Sequence, residues 1–436
     1  MNRKYTILIL LILIIGLSAC KSNDNINVSN NSQSSSLVPN DSSSQEESAA
    51  ESSASIKPEQ HESELDGVFI GGEYTKLPTP DSNVTGSGPY AVYDIKDVNG
   101  KPWNLIHTRE GLRYVRYNME TLTYDNGTLF EVPSGEFIRR IIVEGGHVLV
   151  VTNRNCYAFD CDSMVRVISK PLPEFLVIEE EENDKYVKFV VDADCNMIAY
   201  VYRSEESDSL YICSLTENAT PVEIHKTDTT GEVGGHEYYY AISFLEDGRL
   251  LVGVGGWEWT WRYEIMDLQG GTLLKIQPPD MEMVATYGSG EYFRNDAEML
   301  MITPPIYEKA EKWYQYYWVD CEQLEIRRLD WINDKLPSQG VKQIGPGESL
   351  IAISNDLNYG VICARYIIEN TMDVEKTEFY FIDFERETVT LLPQTIENYL
   401  GDIIAVAGDY FYFSYYDKEW EHLQGIYAAK LPEVVE

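Results

Sequence analysis

Residues 255–261 read GGWEWTW, two glycines followed by tryptophans on alternate positions with Glu258 between the first pair. An indole ring beside a carboxylate can stack on a sugar while the acid accepts its hydroxyl hydrogens, and the same mixture can anchor a protein partner. Three later stretches repeat it: PPIYEKAEKW with Tyr307 and Trp313, RYIIENTMDVEKT with Tyr366, and YYDKEWEHLQ with Tyr415, Tyr416 and Trp420. Trp257, Trp259, Tyr307, Trp313, Tyr366, Tyr415 and Trp420 are therefore the candidate ligand-binding residues, with packing of the rings on one another as the competing reading. Carboxylates two apart, Asp373 with Glu375 and Glu419 with Glu421, are of the type that does acid–base work in a glycoside hydrolase or lyase, although nothing in the sequence orients either pair.

Other chemistries lack their residues. GSGPY and GSGEY are glycine-flanked serines without the GxSxG spacing of a nucleophile elbow. The six histidines form neither HxH nor HExxH. DADCN at 192–196 opens like a calcium loop, but Met197 stands at the glycine position and Arg203 at the twelfth, where a bidentate glutamate belongs. It reads as a hairpin turn, and EEEEND at 179–184 as a solvated loop. No catalytic residue, metal site or cofactor is expected.

The elements that would carry the aromatic hairpins come from a repeat. An aromatic residue is followed three or four positions later by a polar one at Tyr114/Asn118, Tyr157/Asp160, Tyr211/Ser214, Tyr263/Asp267, Tyr317/Asp320, Tyr380/Asp383 and Tyr427/Lys430, a mean step of about 52 residues. A second column of turn residues precedes each: DVNG at 97, EGG at 144, DADCN at 192, EDG at 246, RND at 294, SND at 354 and AGD at 407. Between the columns lie runs such as HVLVVT, RLLVGV and YFYFSYY, rich in Val, Ile and Tyr, and no helical period is sustained. Each unit makes four strands, so the chain is all-β: a β-propeller of seven four-stranded blades, or six or eight if one unit is misread. In the last unit only LPEVVE follows the third strand, and GVFIGG at 67–72 is the expected N-terminal strand that closes the last blade.

The turn-then-strand pattern, clearest in SFLEDGRLLVGV, resembles the propellers of TolB and of the prolyl oligopeptidase N-terminal domain, and is WD40-like in its four-stranded repeat. The resemblance runs over most of residues 89–430 and keeps only the Asp-Gly half of their SPDG turn. It implies the fold and carries no catalytic residue across. In such propellers the hairpins between second and third strands share one face around the channel mouth. GGWEWTW would start the third strand of blade four at Trp257, with Trp261, Tyr263 and Ile265 packing between blades and Trp257 and Trp259 standing above the rim.

The N-terminus sets the expected location. Arg3 and Lys4 precede an apolar run from Tyr5 to Ile15, too short to span a bilayer and suited to an export signal. It ends in Leu17, Ser18, Ala19 and Cys20, which resembles a bacterial lipobox. The resemblance implies cleavage after residue 19 and acylation of Cys20 by diacylglycerol and a fatty acid such as palmitate, enough chains to anchor durably. Residues 20–65 are rich in Ser, Asn and Glu and read as a disordered tether, leaving 66–436 as the propeller.

The net charge is −37, of which −33 falls on residues 66–436. Such a surface disfavours nucleic acid. Six cysteines besides Cys20 permit disulfides, and Cys195 with Cys213 lie near the same end of adjacent strands, where a bridge and buried free thiols are equally open. The sequence thus describes a lipid-anchored extracytoplasmic binding or scaffold protein that takes an envelope protein or a glycan, with the polysaccharide-active enzyme as the alternative. Cys20→Ser should abolish incorporation of labelled palmitate in cells and release the chain from the membrane fraction; continued membrane retention would contradict the anchor.

Overall fold

The computed structural model describes residues 54–55, 69–77 and 95–433, apart from 109, 122, 145–146, 180–185, 193, 205–206, 217–218, 228–236, 256–258, 278–284, 287–291, 295–296, 304–314, 337–350, 369–372 and 417–422. Cys20, Trp257, Tyr307, Trp313, Trp420, Glu419 and Glu421 fall outside them, and of Trp259 only the backbone is described.

Seven antiparallel sheets follow one another along the chain, at 95–131, 138–171, 186–226, 238–276, 292–328, 351–397 and 401–430. In each, the first strand is an edge and sequence order is spatial order. First strands of neighbouring blades pack together, as 186–191 does with 238–244 and 401–407 with 95–98, which places them innermost. The outer strands face solvent, and Val165, Val167, Val222, Leu273, Ile326 and Leu391 are exposed there. The protein is a seven-bladed β-propeller.

Its core is divided into seven apolar clusters, one at each junction between blades. The cluster that joins the ends of the chain brings Ala405, Tyr412, Ile426 and Ala428 of blade seven against Ile95, Ile106, Val115 and Tyr117 of blade one. Burying each large side chain stabilises the ring by about 1.5–3 kcal/mol. The interfaces, more than any one sheet, hold the molecule together.

Both columns of the sequence repeat have a structural cause. Every aromatic of the first column lies on a third strand, and at Asn118, Asp160, Asp267, Asp320 and Asp383 the polar residue that follows caps the turn to the outer strand, whereas Ser214 donates to the Asn196 carbonyl and Lys430 pairs with Glu433. Asp160 accepts from the Ser163 amide at 2.7 Å, Asp320 from Gln323 at 2.7 Å, Asp383 from Arg386 at 2.8 Å and Asp267 from Gly271 at 2.7 Å. In three of these turns the fourth residue after the Asp has a positive φ: Met164 at 59°, Leu324 at 58° and Glu387 at 51°. A carboxylate that satisfies turn amides is what lets a bulky residue occupy that conformation. The second column falls between first and second strands, where Gly248 at φ 85° and Gly408 at φ 55° supply the same geometry.

The last blade is closed from the N-terminus, but not by the stretch expected. Phe69–Gly71 pairs with Thr395–Glu397 and adds a fifth strand to blade six. The outer strand of blade seven is Thr75–Lys76, opposite Ala428 and Tyr427, and the Leu77 amide continues it by donating to Ile426 at 2.8 Å. Ile70 and Leu77 are buried on the two adjoining blades, so each short strand is fixed by its apolar residue and not by its length. Ala54–Ser55, within the segment read as tether, pairs with Thr123–Tyr124 on the outer edge of blade one.

Of the two alternatives for Cys195 and Cys213, a bridge or buried free thiols, the structure has the second. The six cysteines besides Cys20 are free and buried, and a sulfur of the neighbouring blade, that of Cys156, lies 3.5 Å from that of Cys195. Cys213 instead donates to the Ser214 carbonyl.

Asp97 lies at the seam of the ring. Its carboxylate accepts from the Gly100 amide at 2.7 Å, while its carbonyl accepts from Asn355 of blade six at 2.9 Å, so turns of blades six and one meet across blade seven. Burial raises its pKa to about 6, with the Asp356 charge adding, against hydrogen bonds from backbone amides. The folded chain therefore binds this proton more tightly than the unfolded one. The stability it contributes is fully present below about pH 4 and is lost as pH rises through about 6. Asp97→Asn, which keeps an acceptor for Gly100, should raise stability at pH 7.5 by about 1–2 kcal/mol after allowance for solvent screening. It should also flatten the dependence of melting temperature on pH between 4 and 6; an unchanged slope would show that Asp97 does not titrate there.

Candidate functional site

Antiparallel blades put the first and third turns of every unit on one face and the second hairpin, with the link to the next blade, on the other. The first set is uniformly tight, two to seven residues long. The second set includes a hairpin of eleven residues at 304–314 and links of fourteen at 172–185 and twenty-two at 329–350, the last with a short helix at Asp330–Lys335. Length is thus confined to one face. That is the face to which the sequence assigns the aromatic hairpins.

On blade four the third strand is Trp259–Met266, so it begins two residues later than expected, and 256–258 link it to the second strand. Trp259 and Thr260 pair with Thr286 and Ala285, a short extra strand drawn from the link to blade five. The Trp259 backbone is therefore held in a sheet and does not stand clear of it. Tyr263 and Ile265 pack against blade five as the alternation predicts, while Arg262 and Glu264 point the other way.

There Arg262 joins Glu237 at 2.8 Å and also Glu264, whose second oxygen accepts from Thr272 at 2.8 Å. Burial opposes the Glu264 charge, but Arg262 and Thr272 outweigh it and hold the carboxyl below its usual range. Close by, Arg203 pairs with the buried Asp208 at 2.8 Å, Asp208 accepts from the Tyr239 amide, and His225 meets the Tyr239 hydroxyl. Lys188 is pushed down by burial and by Arg140 and Arg203. In a chain of net charge −37, cations gather at the loop-bearing ends of blades two and three.

Blade six carries the one candidate aromatic described with a half-buried ring. Its second and third strands, Tyr359–Ile367 and Val374–Asp383, run well past the three-residue inner strand Ile351–Ile353, so the hairpin projects. Lys376 lies 4.6 Å from the centre of the Tyr366 ring and 2.5 Å from Glu378, and Tyr380 bridges Glu378 and Tyr366 at 2.8 and 3.2 Å. Burial works against the Glu378 charge, yet these donors keep it ionised below the usual range. Tyr366 is thereby fixed in orientation.

Tyr415, by contrast, is buried between Tyr399 and Tyr427, with centroids at 5.4 and 6.0 Å, and serves the junction of blades six and seven. Asp373 and Glu375 are exposed on either side of the buried Val374. Among the described residues no three of His, Cys, Asp and Glu gather to hold a metal ion, and no helix is long and apolar enough to cross a membrane.

The turn-bearing face holds a feature absent from the sequence reading. A cleft of about 790 Å³ opens where blade one meets blade seven, lined by Lys101, Arg116, Tyr124, Asp125, Asp409 and Tyr410 among others. Arg116 pairs with Asp125 and lies 5.7 Å from the Trp103 ring, so the wall is preset. Its residues come from three separate turns and strands, and no local motif could have announced it.

No family model matches this chain, and no curated protein does. Solved structures align with it at low identity. An oligogalacturonate lyase from Vibrio parahaemolyticus is 13% identical, aligns over 88% of this chain and 100% of its own, and has a TM-score of 0.48. The Neurospora crassa Pan2 WD40 domain is 10% identical over 83% and 97%, with a TM-score of 0.42. The β-propeller domain of the Pyrococcus furiosus Trilobed protease, described as an open velcro topology, is 12% identical over 67% and 85%, with a TM-score of 0.35. The class of protein that the seven four-stranded blades define is the β-propeller.

Proposed function

We propose that this is a lipid-anchored, extracytoplasmic binding protein that uses the loop-bearing face of its propeller to hold an envelope glycan or protein. The observation that carries the reading is the asymmetry of the two faces. The turns on one side are tight, and blades one to six each carry a carboxylate cap there, while the long hairpins and links lie on the other. A rigid scaffold that keeps one face constant and elaborates the other is the usual arrangement of a binding protein. The anchor follows from the Cys20 segment, and the choice of ligand from the aromatics beside carboxylates at 257–261, 307–313, 366 and 415–420.

Binding without chemistry accounts for the described residues best. Two carboxylates near the candidate aromatics, Glu264 on the strand that Trp259 begins and Glu378 beside Tyr366, are each locked in ion pairs with a neighbouring cation and hydrogen bonds from hydroxyls, an arrangement suited to shape and not to proton transfer. Purified residues 50–436, wild type beside Trp259→Ala, should be applied to an array of envelope and dietary polysaccharides and to solubilised envelope proteins. Loss of binding by at least tenfold in Trp259→Ala, with an unchanged melting temperature, is the expected result. Undiminished binding by the variant, or no ligand in either set, would count against this face.

A further inference from the structure

Cys156 starts the third strand of blade two, Asn155–Asp160, and Cys195 sits in the first turn of blade three. Both are fully buried, and their sulfurs are 3.5 Å apart across the junction of the two blades. From this geometry we infer that Cys156 and Cys195 are a site of oxidative cross-linking that ties blade two covalently to blade three. The inference rests on the extracytoplasmic reading for its setting in cells, where thiols that meet in this way become oxidised.

Cys195 is held in place from three directions. Its backbone is in the left-handed region at φ 51°, and its amide donates to the Asp192 carbonyl at 2.9 Å. Asp192 also accepts from the amides of Asn196 and Met197, each at 2.7 Å, which fixes the turn. From blade two, Lys170 donates to the Cys195 carbonyl at 2.7 Å and to the Asn196 side chain at 2.8 Å. Lys170 is itself paired with Cys156 across the outer two strands. One interaction therefore clamps the turn beside its partner thiol. Two sulfurs so placed need to approach by about 1.5 Å to reach bonding distance.

The same environment assigns roles. A hydrogen bond from Cys156 and the Lys170 charge favour the Cys195 thiolate against burial and the nearby Asp192, whereas Cys156 is pushed up. Cys195, with the Lys170 ammonium bonded to its own carbonyl, is the attacking group. With oxidised glutathione as the oxidant, the Cys195 thiolate attacks one of its sulfurs and releases one glutathione thiolate. Cys156 then loses its proton and attacks the Cys195 sulfur, and the second glutathione leaves. One S–S bond is broken and one formed, the two protein thiols are oxidised, one glutathione disulfide becomes two glutathiones, and their protons pass to the released thiolates. Burial of both thiols means that the bond closes as the blades dock, during folding.

The bond would enclose a loop spanning 39 positions, long enough to restrict the unfolded chain substantially. The test is peptide mapping without reduction. Residues 50–436 are refolded with oxidised and reduced glutathione, quenched in acid, alkylated and digested. The expected product joins the Cys156 and Cys195 peptides, with Cys161, Cys213, Cys321 and Cys363 alkylated. The linked protein should melt roughly 5 °C above the same sample treated with dithiothreitol. In Cys156→Ser, Cys195 should be found alkylated and not paired elsewhere.

Alkylation of both Cys156 and Cys195 in the refolded wild type would overturn the inference, as would a link from Cys195 to Cys213. Full-length protein quenched in cells separates the two claims. The cross-link in cells supports both, whereas thiols in cells from a protein that links when refolded leave the site standing and contradict the extracytoplasmic location.

Discussion

A sheet has two edges, and a ring of sheets is stable only if the last one meets the first. Everything in this molecule depends on that closure. The cluster that includes Tyr412 and Tyr117 buries apolar side chains of blades seven and one against each other. The outer edge of blade seven is finished by a strand from the other end of the chain, with Leu77 sealing it from beneath. Closure brings both ends of the propeller to one blade. It leaves the two faces free to differ, because the apolar clusters that join blade to blade lie between the sheets.

They do differ, and for a physical reason. On the turn-bearing face, side-chain oxygens of Asn118, Asp160, Asp267, Asp320 and Asp383 satisfy backbone amides within each turn. An added residue there would break a hydrogen-bonded loop. On the opposite face the Thr108, Thr152 and Ser204 hydroxyls accept turn amides in the same way and the second hairpins of blades one to three stay short, while the long insertions fall in the later hairpins and in the links between blades. The elaborated face of the molecule is thus where the repeat is weakest.

This also explains what could be read from sequence. The repeat was legible because its columns are hydrogen-bond chemistry: Asp160, Asp320 and Asp383 recur at strand ends as the caps of identical turns. Four strands per unit and seven units followed from it. The N-terminal closure was legible in kind but not in place, since GVFIGG is the apolar stretch and EYTKL carries two charges, yet the burial of Ile70 on blade six and of Leu77 on blade seven gives the closing position to the second. The partner of Cys195 was missed for a similar reason. Periodicity within a blade pointed to Cys213, whereas the contact that forms is between blades, where sequence spacing carries no information. Tyr366 and Tyr415 looked alike in their hairpins, yet Tyr399 and Tyr427 cover one of them and Lys376 the other. The cleft beside Arg116 draws on blades one and seven and had no linear signature at all.

The central claim is that the elaborated face does the binding. The most direct measurement is hydrogen exchange of the full chain, free and on envelope fragments from its own cells, read peptide by peptide. The claim predicts that slowed exchange concentrates in the second hairpins, 256–258, 304–314, 369–372 and 417–422, while the turns at 97–100, 192–196, 246–248 and 354–356 are unchanged. Slowed exchange at 97–102, 118–125 and 407–410 with the hairpins unaltered would place binding in the cleft on the opposite face and contradict it.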